Sequence, residues 1–207
     1  TFIRAALNAA IQKQSHAAVS EAFYTIFPHD YVCSDFMQNE WHIFDGHRWM
    51  KSNGTYILQW ALLKKFIPKL EELRAKITAD QLNKDPTYKK QCESDIVLIG
   101  QLIAQIEKNG FKENLCREMR IFYYDKNFKT HRDQNIYLTG TPNGVLDVRS
   151  GKCIFRDGKP QDYITKSTKF GYNQDYTMEH PQVREVLTYI RKVYRNANVN
   201  RFFWKFV

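Results

Sequence analysis

The chain has 207 residues, 43% of them hydrophobic and 26% charged, enough apolar content for a buried core in one or two domains and too much for wholesale disorder. Lys and Arg number 31 against 22 Asp and Glu, a net charge of +9. Residues 1–50 hold only three basic and five acidic side chains, so the surplus lies in the body of the chain, where it suits either an anionic partner, nucleic acid first, or simply a well-solvated surface.

Residues 2–27 carry apolar side chains at helical spacing (Ile3, Leu7, Ile11, Val19, Phe23, Ile26) up to a Pro28 stop, which predicts one long helix. Residues 31–33 are a candidate strand. Residues 40–44 and 47–49 predict a hairpin about a two-residue Asp45-Gly46 loop, with Trp41 and Ile43 on one face. Residues 55–78 are again helical, and Pro68, lacking a backbone donor, is expected to kink or split that helix. Asp85-Pro86 starts a second long helix, closed near Lys108 by Asn109-Gly110, so that the two form a charged helical hairpin. A third helix follows over residues 112–124, then a polar connection over 126–139.

Residues 144–148 and 153–156 alternate as a hairpin about a turn at 149–152, and Asp157-Gly158 supplies a second turn. A basic extended run over 164–172 and an aromatic turn over 172–176 lead to a helix begun by His180-Pro181. Its spacing places Val183, Val186, Leu187, Ile190 and Val193 inward, with Arg184, Arg191 and Arg195 on another face. The expected class is α+β: mostly helical, with two small antiparallel β-hairpin units and a long helical hairpin insert.

Few residues point to chemistry. A P-loop needs Gly, four residues, then Gly-Lys and a hydroxyl; Ser150-Gly151-Lys152-Cys153 and Gly158-Lys159-Pro160 lack both the upstream glycine and the hydroxyl. His131-Arg132-Asp133 imitates a kinase catalytic loop, but Leu138 stands where the metal-binding Asn belongs. His29, His42 and His47 are a thin metal set beside the plainer expectation of solvent-facing histidines. Four cysteines without CxxC spacing (Cys33, Cys92, Cys116, Cys153) suit reduced, mostly buried thiols. An Asn53-Gly54-Thr55 sequon matters only in a secreted protein, and no apolar run reaches the ~20 residues of a membrane span. Trp41, Phe44, Trp49 and Trp60 suit either a base-stacking platform or an ordinary core. The better phosphate-tracking candidates are Arg149, Lys152, Arg156, Lys159, Lys166 and Lys169, interleaved with aromatics, and the Arg184, Arg191, Arg195 stripe. No catalytic or metal-binding residue is expected.

The stretch TPNGVLDVRSGKCIFRDGKPQDYITK, residues 141–166, together with the earlier WHIFDGHRW, residues 41–49, resembles the region just upstream of the ATPase in poxvirus-type primase-helicases, which share superfamily 3 with phage and plasmid replicative helicases. The resemblance implies a fragment of a longer replication protein of a large cytoplasmic DNA virus or a phage. Residues 1–207 are then one domain between primase and ATPase, with parts at 1–53, 54–127, 128–178 and 179–207. Opening without a methionine and stopping in RFFWKFV also suits an excised piece. The resemblance further implies single-stranded or forked DNA as partner, a homohexameric parent, no membrane, and replication in the host cytoplasm. It implies no cofactor in these residues, with ATP and magnesium used by the ATPase. Two roles stay open: guiding DNA, or a purely structural collar that organises the ring.

Overall fold

The computed structural model describes residues 2–52, 54–80 and 85–206, so the Asn53 of the sequon lies outside the described residues. Two compact units divide the chain, residues 1–169 and residues 170–207.

The first unit opens on two helices where the sequence predicts one: α1 (Phe2–Lys13) and α2 (His16–Ile26). The apolar period runs unbroken through both. The break is local: Gln14 adopts a left-handed φ of 48°, and the Ser15 hydroxyl caps α2 by accepting from the Ala18 N–H. Three antiparallel strands follow, β1 (Tyr31–Asp35), β2 (Glu40–Phe44) and β3 (Trp49–Ser52), in the order β1-β2-β3. Phe44 pairs with Trp49, so the hairpin closes on residues 45–48 and its second strand begins at Trp49, not at His47. The cause is Asp45, whose carboxylate accepts the backbone N–H of both His47 and Arg48 and so holds them in the turn.

The helix expected over 55–78 is split, as Pro68 requires: α3 (Tyr56–Ala61), a π-helical turn (Leu62–Phe66) and α4 (Ile67–Asp80). In the wide turn the Ile67 N–H reaches back to the Leu62 carbonyl, which absorbs the register change before the proline. Next come α5 (Pro86–Glu107), begun by Pro86 as predicted, and α6 (Asn109–Tyr123). α4 packs on α5. Asn109-Gly110 does not close α5. It opens α6, because only Lys108, in an extended conformation, separates the two helices.

The core lies between these helices and one face of the first sheet. Phe23 sits at its centre, ringed by Phe27, Tyr31, Phe66 and Tyr123 at centroid distances of 4.9–6.3 Å. Trp41, Phe23 and Phe66 are fully buried, each worth about 1.5–3 kcal/mol of apolar transfer. Trp41 and Ile43 pack on this core as their shared face predicts. The opposite face meets a smaller cluster of Val32, Trp49 and Phe128, flanked by Phe44 and Tyr163. Phe128 belongs to a short helix, α7 (Phe128–His131), inside the stretch expected to be only a polar connection.

The second sheet has three strands, β4 (Leu138–Thr141), β5 (Gly144–Asp147) and β6 (Ile154–Arg156), in the order β4-β5-β6. The expected hairpin is β5-β6. β4 was not expected, since Leu138-Thr139-Gly140-Thr141 is short and half polar. The unit as a whole is α+β, with two small antiparallel sheets.

The second unit holds α8 (Pro181–Val193) and α9 (Ala197–Phe206). The α8 residues expected to face inward are not buried: Val183, Leu187 and Ile190 are half-exposed, and Val186 and Val193 are exposed. A helix pair this small has too little surface to bury an apolar stripe by itself.

Candidate nucleic-acid interface

The nine basic candidates divide between the units, six in the first and three in the second. Within the first, Arg149 and Arg156 are committed to carboxylates. Asp147, at the end of β5 and only 7% exposed, accepts from Arg149 Nε at 2.9 Å and from Arg156 Nε at 3.2 Å. Arg156 then forks onto Asp162, Nη1 to Oδ2 at 2.7 Å and Nη2 to Oδ1 at 2.8 Å. The Arg149 hydrogen bonds hold the Asp147 carboxyl well below the usual range. Burial pushes the Asp162 carboxyl up, but Arg156 and the Lys159 backbone N–H outweigh it and the net shift is downward. Arg156 is thereby the centre of a structural ionic network, two carboxylates on one guanidinium. The Asp of NGVLD and the Asp of DYITK share that partner.

Lys152, Lys159, Lys166 and Lys169 are exposed. None forms an ion pair among the described residues. Their supports are nonetheless fixed. Lys152 stands in the β5-β6 turn. Lys159 opens a 3-10 turn (Pro160–Asp162) and donates its backbone N–H to Asp162 at 2.8 Å. The run carrying Lys166 is clamped by Asp133, whose Oδ1 accepts the backbone N–H of Thr165 at 2.8 Å and of Lys166 at 3.1 Å, while Oδ2 takes the Thr165 hydroxyl. Asp133 and Tyr163 both hold left-handed φ values, 55° and 52°, and the Asp133 N–H donates to the Tyr163 carbonyl at 2.9 Å. The kinase-like His-Arg-Asp triplet is therefore an anchor for the DYITK segment. That role has a sequence signal only in hindsight, an Asp able to accept left-handed backbone and two amides at once. Thr168 N–H to Gly140 carbonyl, 2.9 Å, ties the same run to β4.

The two motif regions are physically joined. The Trp49 indole donates to the Pro160 carbonyl at 2.9 Å, and its backbone N–H to Ile164 at 2.7 Å. At Gly158 an added Cβ would lie 2.1 Å from the His47 carbonyl oxygen, so the turns touch backbone to backbone and only glycine fits. Trp41 and Trp49 are buried and Phe44 is packed against Trp49, whereas Trp60 is 41% exposed. The first three are core, so these four described aromatics do not form a stacking platform. His42 is buried against Phe128 at 4.7 Å and not solvent-facing. Among the described residues no three His, Cys, Asp or Glu are grouped to hold a metal, and no helix is long and apolar enough to cross a membrane. Cys33, Cys92 and Cys116 are buried and Cys153 is exposed.

In the second unit Arg184, Arg191 and Arg195 are exposed. Arg191 and Arg195 line a hollow of about 380 Å³ together with Arg201, a residue the sequence pattern passes over because it sits inside an aromatic run.

A protein of Acanthamoeba polyphaga mimivirus, assigned by name as a helicase, is 30% identical over 158 residues, 76% of this chain and 16% of its own length. One of Invertebrate iridescent virus 6, so assigned too, is 31% identical over 114 residues, 55% of this chain and 12% of its own. One of Frog virus 3, with the same assignment, is 23% identical over 182 residues, 73% of this chain and 18% of its own. The chain thus spans less than a fifth of the length of these relatives. The family model described as D5 N terminal like matches residues 20–191, and with the ionic network of NGVLD and DYITK and the aromatic hairpin inside that match, the chain belongs to the D5 N-terminal-like family shared by helicase-assigned proteins of large DNA viruses.

Proposed function

We propose that this chain is a non-catalytic, DNA-guiding part of a viral replicative helicase, tracking the phosphates of single-stranded or forked DNA. The observation that carries it is the set of four exposed lysines, Lys152, Lys159, Lys166 and Lys169, unpaired by carboxylates and mounted on backbone held by the Asp133 clamp, the Arg156 network and the Trp49 hydrogen bonds. Cations on fixed backbone meet a phosphate chain at lower entropic cost than cations on a loose tail. The chain contains no Walker A sequence, so in this proposal ATP and magnesium serve a different part of a longer primase-helicase, one that works as a homohexamer in the host cytoplasm.

A second role, a collar that holds subunits together without touching DNA, is favoured by one feature. α8 and α9 leave Val186, Val193, Phe202 and Trp204 exposed at 45–63%, an apolar surface of the kind that covers itself by association.

The test is fluorescence anisotropy of a labelled single strand titrated with the chain over a salt series. Guidance predicts affinity that falls steeply with salt and is abolished when Lys159, Lys166 and Lys169 are changed to Glu. Absence of binding at low salt, with self-association on sizing, would leave the collar.

A further inference from the structure

Between the end of α2, the end of α6 and the start of the DYITK run, the first unit holds a cleft of about 290 Å³, at the small end of the range for ligand sites. Trp49, Tyr123 and Phe128 give it buried lining, and Tyr24, Tyr124 and Tyr163 give it accessible lining. Ring contacts hold that lining together. Tyr24 meets Tyr123 edge to face at 5.0 Å, Trp49 meets Phe128 in the same way at 5.6 Å, and Phe128 meets Tyr163 at 5.8 Å. The Tyr163 hydroxyl donates to Asp125 at 3.3 Å, which brings a carboxylate to the same wall.

Aromatic walls at this size suit one flat ring. Two polar groups decide which ring. Asp125 lines the cleft half-buried. Its Oδ1 accepts the Asn127 backbone N–H at 2.9 Å and its Oδ2 the Tyr163 hydroxyl, which leaves each oxygen a further lone pair. Gln161 lines the cleft from the DYITK side, exposed, and its amide makes no hydrogen bond among the described residues. A carboxylate repels phosphate and accepts N–H groups, so a strand keeps its backbone outside and offers a base. Outside stands Lys159, exposed and two residues before Gln161. Aromatic grooves also take proline-rich peptides, but the unpaired lysines beside this one favour a polyanion.

We infer that the cleft takes one base of a bound single strand, a base with an exocyclic amino group that donates to Asp125 while the Gln161 amide serves the ring nitrogen beside it. The inference rests on the DNA-guiding proposal and adds a base preference to it.

The experiment is anisotropy of oligo-dC and oligo-dU of equal length at one salt concentration, with the whole chain and with Asp125→Asn and Gln161→Ala. The two strands carry the same phosphates and rings of the same size, and differ on the edge that Asp125 reads. The parent should bind oligo-dC about tenfold more tightly. Asp125→Asn, an isosteric change, should abolish the preference by weakening oligo-dC. Gln161→Ala alters an exposed side chain and should weaken oligo-dC about threefold; it decides alone if Asp125→Asn fails to fold. The direction is diagnostic, because removing a carboxylate near a polyanion strengthens every strand on charge alone. Equal affinity for the two strands, or an Asp125→Asn variant that tightens both alike, overturns the base cleft and leaves DNA guidance standing. Absence of binding by either strand at low salt removes both. A proline oligopeptide that moves the Trp49 indole N–H signal in NMR, where oligo-dC does not, makes the cleft a peptide groove and overturns the base reading.

Discussion

Trp49 donates its backbone N–H to the Ile164 carbonyl at 2.7 Å while its indole reaches the Pro160 carbonyl at 2.9 Å. One residue of the aromatic hairpin thus holds two points of the DYITK segment more than a hundred residues later. The edge of β3 supplies the first bond and a side chain supplies the second, so the segment is aligned in both position and tilt.

Removing that side chain has a graded consequence. Trp49 is 5% exposed and meets Phe128 edge to face at 5.6 Å. Trp49→Ala should cost about 3–5 kcal/mol by cavity formation. Trp49→Phe should cost about 1 kcal/mol, chiefly the lost bond to Pro160. Urea denaturation followed by tyrosine and tryptophan fluorescence separates the two; a Trp49→Phe variant as stable as the parent would mean that the hydrogen bond contributes nothing.

Arg156 and Arg149 look alike in sequence and differ in placement. The Arg156 side chain is 20% exposed and bridges Asp147 and Asp162, whereas the Arg149 side chain is 55% exposed and touches Asp147 alone. Arg156→Gln leaves Asp162 without its guanidinium and Asp147 with Arg149 alone, and should destabilise by about 2 kcal/mol, below the roughly 3–5 of a fully buried pair because some solvent remains. Arg149→Gln should leave the denaturation midpoint near that of the parent. The Asp162 carboxyl sits below its unfolded value, so its contribution is complete above about pH 4 and is lost as pH falls through the folded value. Arg156→Gln should therefore also flatten the acid limb of the stability curve.

Periodicity carried most of the helical half: the apolar faces of α2, α5 and α6, and Pro86 at the start of α5, were legible because each is a local property of the chain. The misses lie where a non-local partner decides. α1 and α2 separate on two residues, Gln14 and Ser15, inside an intact apolar pattern. β4 exists because β5 pairs with it, and its own residues carry little strand signal. Phe128 looks like one aromatic in a polar stretch until the second face of the first sheet needs a cover. Among the candidate cations, composition cannot tell Lys159 from Arg156; the difference is Asp162, six residues away in sequence and within 2.7 Å in space.

Asp133 is the residue whose importance to the site sequence reasoning misjudged most. It accepts from the Thr165 and Lys166 amides and from the Thr165 hydroxyl. Asp133→Ala removes all three hydrogen bonds and places a Cβ residue at φ 55° without the local hydrogen bonding that Asp supplies. The expected cost is about 1–3 kcal/mol, with amide exchange quickened at Thr165 and Lys166 before the helical core loses protection. Unchanged exchange at those two amides would show that the clamp is not what orders the run.

His42 gives a pH dependence opposite in origin to that of the carboxylates. Burial pushes its imidazole down; Glu40 pulls it up, and Arg132, Lys51 and Lys129 push it down further. The unfolded chain therefore binds this proton first. Stability is full above about pH 6.5, the unfolded value, and declines as pH falls toward the folded value. The Nδ1 atom has no hydrogen-bond partner, so His42→Leu sacrifices little and should remove the decline between neutral pH and the onset of carboxylate protonation. Thermal melts from pH 7 to about pH 5 read the difference directly; parallel curves for variant and parent would assign the slope to another group.

The division of the basic residues into paired and unpaired sets predicts how DNA affinity responds to salt. Each phosphate neutralised on a single strand contributes about 0.7 to the slope of log K against log salt. Lys152→Gln, Lys159→Gln, Lys166→Gln and Lys169→Gln should each lower that slope by roughly this amount and weaken binding at low salt. Arg156→Gln, whose guanidinium already faces two carboxylates, should leave the slope intact so long as the chain is folded. The contrast matters because a merely basic surface would respond to total charge, losing the same increment at every position. Equal slopes for Arg156→Gln and Lys166→Gln would mean that the strand senses net charge alone, and that the fixed backbone beneath the lysines has no part in guiding it.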